Sequence, residues 1–573
     1  MRSPHVLLFA LLAIVVAEGA SLLPGKPIRG PPPASPQVAV GQTVDLVGQL
    51  TLVNTHDNKA RYALIDAEGV VTPFSADFVL PEGDKDNNPL ETGSIVGMKC
   101  EVGPPKYCGC GDIGGNCTCP DDANTPACVA AAQSTISLVM SAAQVLPFAP
   151  APHGTQQKLL VMILDYGSCG YAPSLTENDI RNLYLGPNKD GLGGIALKYS
   201  DCSYGKFGLN TTAFMAVRVS INCSTAVTSS CSWWAISQGA DAAAKSLIGL
   251  AAFSTFSHFT YVLPPGLQSV CAWAGLALLP GRQTWLQSSG YGVQRWATVM
   301  QEGIHNYGLW HSWRNGWEYE DYSTAMGRGD ACPNVAETSR LGWATPAVGG
   351  GAINSGVLKT AGSVAKWSLP ATYITGDGNH LRVLPDWLPG FTNSALAKNL
   401  YLALRVNKLG DAALGSMYAN KVNVHEVNAT MDNGYPNSFI YSDRRIQFIS
   451  SVSPFTRSVL PAYNLVIYPS AVNASDAITV YLCRYTSADS QCPSLTDVVG
   501  TASPPPPSPP PPARPPPSPP PPARPPPPPP TRSPPPLTRS PPPLKKSPPP
   551  SPRKPPPSPR PSPPTVRLCI SFC

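Results

Sequence analysis

The stretch Gln301-Glu302-Gly303-Ile304-His305-Asn306-Tyr307-Gly308-Leu309-Trp310-His311 decides how the chain is read. Gln301 and His305 are four residues apart, so on a helix they share one face. Glu302 lies one residue round and reaches a ligand held between them. Gly308 accepts positive φ, which ends the helix and lets the chain turn back. His311 then returns to the same centre. Two imidazoles, one amide oxygen and a nearby carboxylate suit a catalytic metal with three protein ligands and an open position for water. Such a metal lowers the pKa of its water and polarises a scissile carbonyl. Glu302 is placed to take the water's proton and pass it to the leaving amine.

Strand and helix signals surround this segment in alternation. Lys158-Leu-Leu-Val-Met-Ile-Leu164 is an apolar run suited to a buried strand. Thr176-Glu-Asn-Asp179 matches a capping box. Phe214 to Ile221 reads as a strand, Ser237 to Leu250 as an Ala-rich helix, and Phe259–Leu263 and Gly275–Leu279 as two more strands. Val293 to Tyr307 reads as the helix that carries the motif. Strands mixed with helices in this order predict an α/β sheet domain over residues 151–380. Before it, residues 21–150 alternate apolar and polar in Thr43–Val53 and Ser94–Val102, as in a small β-rich unit. After it, Leu400–Val406, Leu465–Tyr468 and Ala477–Leu482 predict a β-rich domain over residues 381–502.

The ends of the chain differ in composition. Residues 1–20 read as a signal peptide, with an apolar run from Val6 to Val16 that is too short to span a bilayer. No later stretch predicts a membrane span. Residues 503–573 hold most of the 70 prolines, in Ser-Pro-Pro-Pro and Ala-Arg-Pro-Pro-Pro units. Proline lacks an N–H and fixes φ, so this block predicts a polyproline II rod of roughly 190 Å. It also carries ten basic residues and no acidic one; removing ten from the formal charge of +6 leaves about −4 for the rest. The basic tail has no interleaved aromatics, which points away from nucleic acid and toward an anionic polysaccharide or acidic matrix glycoprotein.

The 16 cysteines fall into even groups: six from Cys100 to Cys128, six from Cys169 to Cys332, then Cys483 with Cys492 and Cys569 with Cys573. Even groups suggest local disulfides in an oxidising compartment. A zinc cluster at Cys108, Cys110, Cys117 and Cys119 fits less well, because the spacing is C-x-C rather than C-x-x-C. Sequons at Asn116, Asn210, Asn222, Asn428 and Asn473 are candidate N-glycan sites. Together these features predict a secreted protein of the extracellular matrix.

The motif resembles the metzincin signature, H-E-x-x-H-x-x-G-x-x-H, at every fixed position except the first. Met326, in Asp321-Tyr-Ser-Thr-Ala-Met-Gly327, resembles the Met-turn that runs beneath a metzincin metal. Tyr261-Val-Leu-Pro-Pro265, Cys271-Ala-Trp-Ala-Gly-Leu-Ala277 and Gly342-Trp343 add a resemblance to the gametolysin family of volvocine green algae. That family acts on hydroxyproline-rich cell walls or matrix. The resemblance implies a multidomain chain: an α/β metzincin-like catalytic domain, with a mixed sheet and an active-site helix, flanked by β-rich domains and the polyproline II tail. It implies Glu302 as general base and His305 and His311 as second and third ligands. Gln301 stands where the first histidine would be, as in a volvocine matrix metalloproteinase subgroup. The implied cofactor is one divalent ion, zinc or copper, since the affinity order peaks at copper and an amide is a weaker ligand than imidazole. By the same resemblance, Gly275-Leu-Ala277 occupies the edge strand that pairs with substrate.

Other readings stand beside these. A Glu-x-x-His pair is often a solvated face with a core histidine, but Gly308, His311 and Met326 at the expected offsets argue against that. His258, His380 and His425 read as structural or surface residues. Gly191-Leu-Gly-Gly-Ile-Ala196 reads as a loop, and Asp84-Lys-Asp-Asn-Asn88 as a turn rather than a calcium loop. Cys108 or Cys110 reads as a disulfide partner rather than a zymogen cap. The functional alternative to an endopeptidase is an inactive matrix glycoprotein that keeps a protease fold for binding.

Overall fold

A strand that is apolar on both sides must be covered on both faces, and Leu159–Asp165 is. Leu159, Val161 and Ile163 enter one core, with the helices Glu177–Leu185, Gly194–Ser203 and Trp296–His305. Leu160, Met162 and Leu164 enter the opposite core, against the helix Trp233–Ile248. The strand lies in a sheet ordered Met215–Ser220, Leu159–Asp165, His258–Leu263, Gln283–Gln287, Gly275–Leu279. The first four strands are parallel and Gly275–Leu279 is antiparallel. The protein is thus a mixed α/β structure with several sheets and few helices. Its computed structural model describes residues 41–54, 60–75, 78–103, 127–145 and 154–500. The expected signal peptide, the linker Pro150–His153, Asn116, Cys108, Cys110, Cys117, Cys119 and the tail 503–573 lie outside the described residues.

The strands read from the sequence are present, and the predicted capping box closes on Thr176 and Asp179. Helix ends differ by a few residues. Trp233–Ile248 starts earlier than its Ala-rich run because the Ser232 hydroxyl caps it, accepting from Ala235 N at 3.2 Å. Gly191–Ala196 is a loop only in its first half; the helix Gly194–Ser203 opens inside it. Asp84 accepts from the backbone N–H groups of Asp86, Asn88 and Leu138, so its carboxylate organises a turn.

Strands from before residue 150 and from after residue 380 pair with strands of the segment between them. The N-terminal strand Thr43–Asn54 joins the main sheet, Leu52 opposite Leu279 and Val53 opposite Leu278. Val53 and Ala63 enter the same core as Leu276, Leu278 and Trp285. Thr51 Oγ1 donates to Pro280 O at 2.6 Å, and Trp234 Nε1 to Val71 O at 2.8 Å. On the other side, Trp313–Arg314 pairs with Gln447–Val452, and Val364–Pro370 pairs with Ala477–Arg484. The strands after 380 therefore complete sheets begun before it.

Disulfides stay within the sequence groups. Cys100 bonds Cys128, Cys169 bonds Cys223, Cys202 bonds Cys332, Cys231 bonds Cys271, and Cys483 bonds Cys492. Cys202–Cys332 closes 130 residues of chain. Among the described residues no helix is long and apolar enough to cross a membrane.

Candidate metal centre

The helix Trp296–His305 is buried from Ala297 onward. Met300 and Ile304 pack into the core under the sheet, and Tyr199 Oη donates to Val299 O at 3.1 Å. Gln301, Glu302 and His305 are 6%, 3% and 6% exposed. His305 Nδ1 lies 2.5 Å from Leu309 O. A carbonyl only accepts, so Nδ1 carries the hydrogen and Nε2 keeps its lone pair for a ligand.

The turn predicted at Gly308 forms. Its N–H donates to His305 O at 2.8 Å, and its φ is +83°. A Cβ there would stand 2.2 Å from the Tyr441 ring, so only glycine suits both the conformation and the space. The chain then delivers His311, which is 2% exposed. Its ring meets His305 edge to face, with centroids 4.7 Å apart and planes at 87°. His311 Nδ1 lies 2.7 Å from Glu318 Oε1, which again leaves Nε2 as the donor atom.

Glu318 was not singled out in the sequence. It sits on a hairpin, Trp313–Arg314 with Trp317–Glu318, where Trp313 faces Glu318. Asn315 and Gly316 join the strands with φ of 52° and 78°, the pattern of a type I′ turn. The Asn-Gly pair was the signal that places Glu318 across from the residue two beyond His311.

Met326 is fully buried. Its carbonyl accepts from Ser312 N at 2.9 Å, which ties this turn to the residue after His311. Asp321 braces the same place. It accepts from Ser312 Oγ at 2.7 Å, from Ser323 N at 2.8 Å and from His425 Nε2 at 3.1 Å. Burial alone would raise the Asp321 carboxyl, but hydrogen bonds from His425, Ser323 and Ser312 outweigh it and hold the group below the ordinary range. His425, on the strand Lys421–Asn428, carries no local signal for this role.

Burial pushes the Glu302 carboxyl up to about 8; a divalent cation beside it acts in the opposite direction. The strand Gly275–Leu279, expected at the sheet edge but covered on its outer side by Thr43–Asn54 at Leu278 and Leu279, passes directly against this side chain. A Cβ on Gly275 would stand 2.6 Å from Glu302 Cγ and Oε1.

Two imidazoles meet here, and imidazole is a donor type that a divalent ion takes. Among the described residues no group of three or more His, Cys, Asp or Glu forms a metal cluster. His305 and His311 therefore need a third donor of another kind, and the Gln301 amide is the residue one turn before His305. The remaining candidate residues lie elsewhere. Asn222 and Asn473 are exposed, while Asn210 and Asn428 are partly buried. Asn428 caps the helix Ala429–Gly434 through Met431 N. His258, His380 and His425 are buried.

Residues 158–462, more than half of the chain, match the gametolysin peptidase M11 family. Over 114 residues the chain is 33% identical to a protein named Autolysin from Chlamydomonas reinhardtii. That stretch covers 18% of this chain and 18% of the relative, far short of its full length. No solved structure matches. The chain belongs to the gametolysin peptidase M11 family, a family of metallopeptidases.

Proposed function

We propose that this protein is a secreted, metal-dependent endopeptidase of metzincin type that remodels a hydroxyproline-rich extracellular matrix or cell wall. The carrying observation is Glu302, enclosed against the strand Gly275–Leu279 at Gly275 and borne on the helix that carries His305. A fold kept only for binding has no need of a carboxylate there. The family membership and the autolysin relative support the substrate class.

Gln301 Oε1, His305 Nε2 and His311 Nε2 would hold one divalent ion, zinc or copper. When bound, that ion supplies Lewis acidity toward the scissile carbonyl and toward a water. Glu302 takes the proton of the attacking water and delivers it to the leaving amine. The backbone of Gly275–Ala277 takes the substrate as an added strand, and Leu309 O and Glu318 keep both imidazoles in the ligating tautomer. The N-terminal unit serves as a propeptide or accessory part. The basic Pro-rich tail anchors the enzyme to anionic polysaccharide, and the sequons carry glycans.

Bound metal and peptide cleavage, measured for the wild type and Glu302→Ala, test this reading. The variant should keep its metal and lose activity by roughly 10²- to 10⁴-fold. Equal activity in both would end the catalytic role. Gln301 favours one second reading, an inactive binding glycoprotein, because an amide holds metal less well than imidazole. It predicts no bound metal and no cleavage in either protein. Gln301→His should raise zinc affinity in a competition titration; no change would remove Gln301 from the ligand set.

A further inference from the structure

Behind the third ligand the protein buries positive charge with few partners. Arg340 and Arg444 are 4% and 6% exposed. Their guanidinium groups both pack on the Tyr435 ring, with centroid distances of 4.2 and 4.5 Å. Arg340 is satisfied by polar neighbours: it donates to Tyr435 Oη at 3.2 Å and to Ile440 O. Arg444 is not. Its Nε and Nη2 are enclosed and make no hydrogen bond among the described residues. An unpartnered buried charge is destabilising by several kcal/mol on general grounds. Burial and the neighbouring Arg340 push the Arg444 guanidinium down to about 10, against the opposing pull of Asp432, Tyr401 and Tyr435.

A small cavity of ≈ 10 Å³, the room of about one water-sized sphere, adjoins these groups. Arg340, Arg444, Asp443 and Ser442 line it together with Gly308 and His311. Asp443 is the one acidic group in the lining. Its carboxylate faces its own neighbour, accepting from Arg445 N at 2.8 Å and pairing with Arg445 Nε at 3.1 Å. In the cavity lining, two guanidinium groups thus face one carboxylate, and that carboxylate is already engaged by Arg445.

The geometry points to a site for a monatomic anion of the chloride class, held by Arg444 Nε and Nη2 in the cavity behind His311. A polyatomic anion does not fit a space of that size. The occupant would neutralise the arginine pair and stiffen the loop that carries His311. The cavity shares His311 with the candidate metal centre, but its anion contacts are those of Arg444, so the site stands whether or not the peptidase reading holds.

Melting of the full chain, compared in sodium chloride and in sodium gluconate at equal ionic strength, tests it. Chloride at about 100 times its dissociation constant should raise the wild-type Tm by about 2–4 °C, saturably, because it binds only the folded state. Arg444→Gln should melt at the same temperature in both salts. Identical wild-type melting in the two salts would overturn the proposal. If the variant does not fold, wild-type crystals soaked in sodium bromide keep the question open to test. An anomalous peak within hydrogen-bond distance of Arg444 Nε supports the site, and a water alone at that position rejects it.

Discussion

The two halves of the candidate metal centre are held by different kinds of structure. Gln301, Glu302 and His305 ride on one helix, and the lock on His305 is a backbone carbonyl four residues away. His311 rides on a loop. Its lock is a side chain on a hairpin, and its neighbour Ser312 is braced by Asp321, which reaches across 104 positions to His425. One half is local and made mostly of main chain. The other is an assembly of distant side chains, so single substitutions should strike it without unfolding the helix.

The sharpest probe of the helical half leaves the ligands alone. Gly275→Ala places a Cβ 2.6 Å from Glu302 Oε1, which must shift the carboxylate. Misplacement of a catalytic group by about 1 Å lowers kcat roughly 100-fold, with metal content unchanged by elemental analysis. A variant of full activity would show that Glu302 has slack in its seat. On the loop half, Glu318→Gln removes the charged acceptor of His311 Nδ1. Loss of such a partner to a ligating imidazole weakens metal binding roughly 10- to 100-fold, measurable by chelator competition. No such variant exists for His305, whose acceptor is main chain, and that contrast is itself the comparison under test.

The smallest effect concerns acid. The folded-state Asp321 carboxyl is held below its ordinary value, so its contribution to stability is present above about pH 4. It is lost as pH falls through the depressed folded value. Asp321→Asn should lower stability by roughly 1.5 kcal/mol at neutral pH and flatten the acid limb of a Tm-versus-pH curve. An unchanged acid limb would place the acid sensitivity in other carboxylates.

This asymmetry also explains what the sequence could and could not reveal. The helical half was legible because its determinants are local: i and i+4 spacing, a glycine that must take positive φ, and an apolar run that alternates between two cores. Glu318 was legible in principle through Asn315-Gly316 but needed the turn type to be recognised. Asp321 with His425 was not, because nothing near either residue records a pairing across 104 positions. The interleaved sheets were hidden for the same reason. Ala477–Leu482 reads as a strand, yet nothing in it says that its partner is Val364–Pro370, which carries no such reading.

The strand shared between Leu52–Val53 and Leu278–Leu279 sets an order of events in biosynthesis. The two partners are separated by 227 positions, Leu52 to Leu279, so at typical elongation rates of about 5–20 residues per second the first waits roughly 10 to 45 s for the second. During that interval Leu52 and Val53 present an open pairing edge beside a core that has not yet been translated. A nascent chain stalled before Leu279 would carry that adhesive edge with nothing to cover it. Translation pauses in this window should therefore be more damaging than pauses after it, and chaperone engagement should concentrate there.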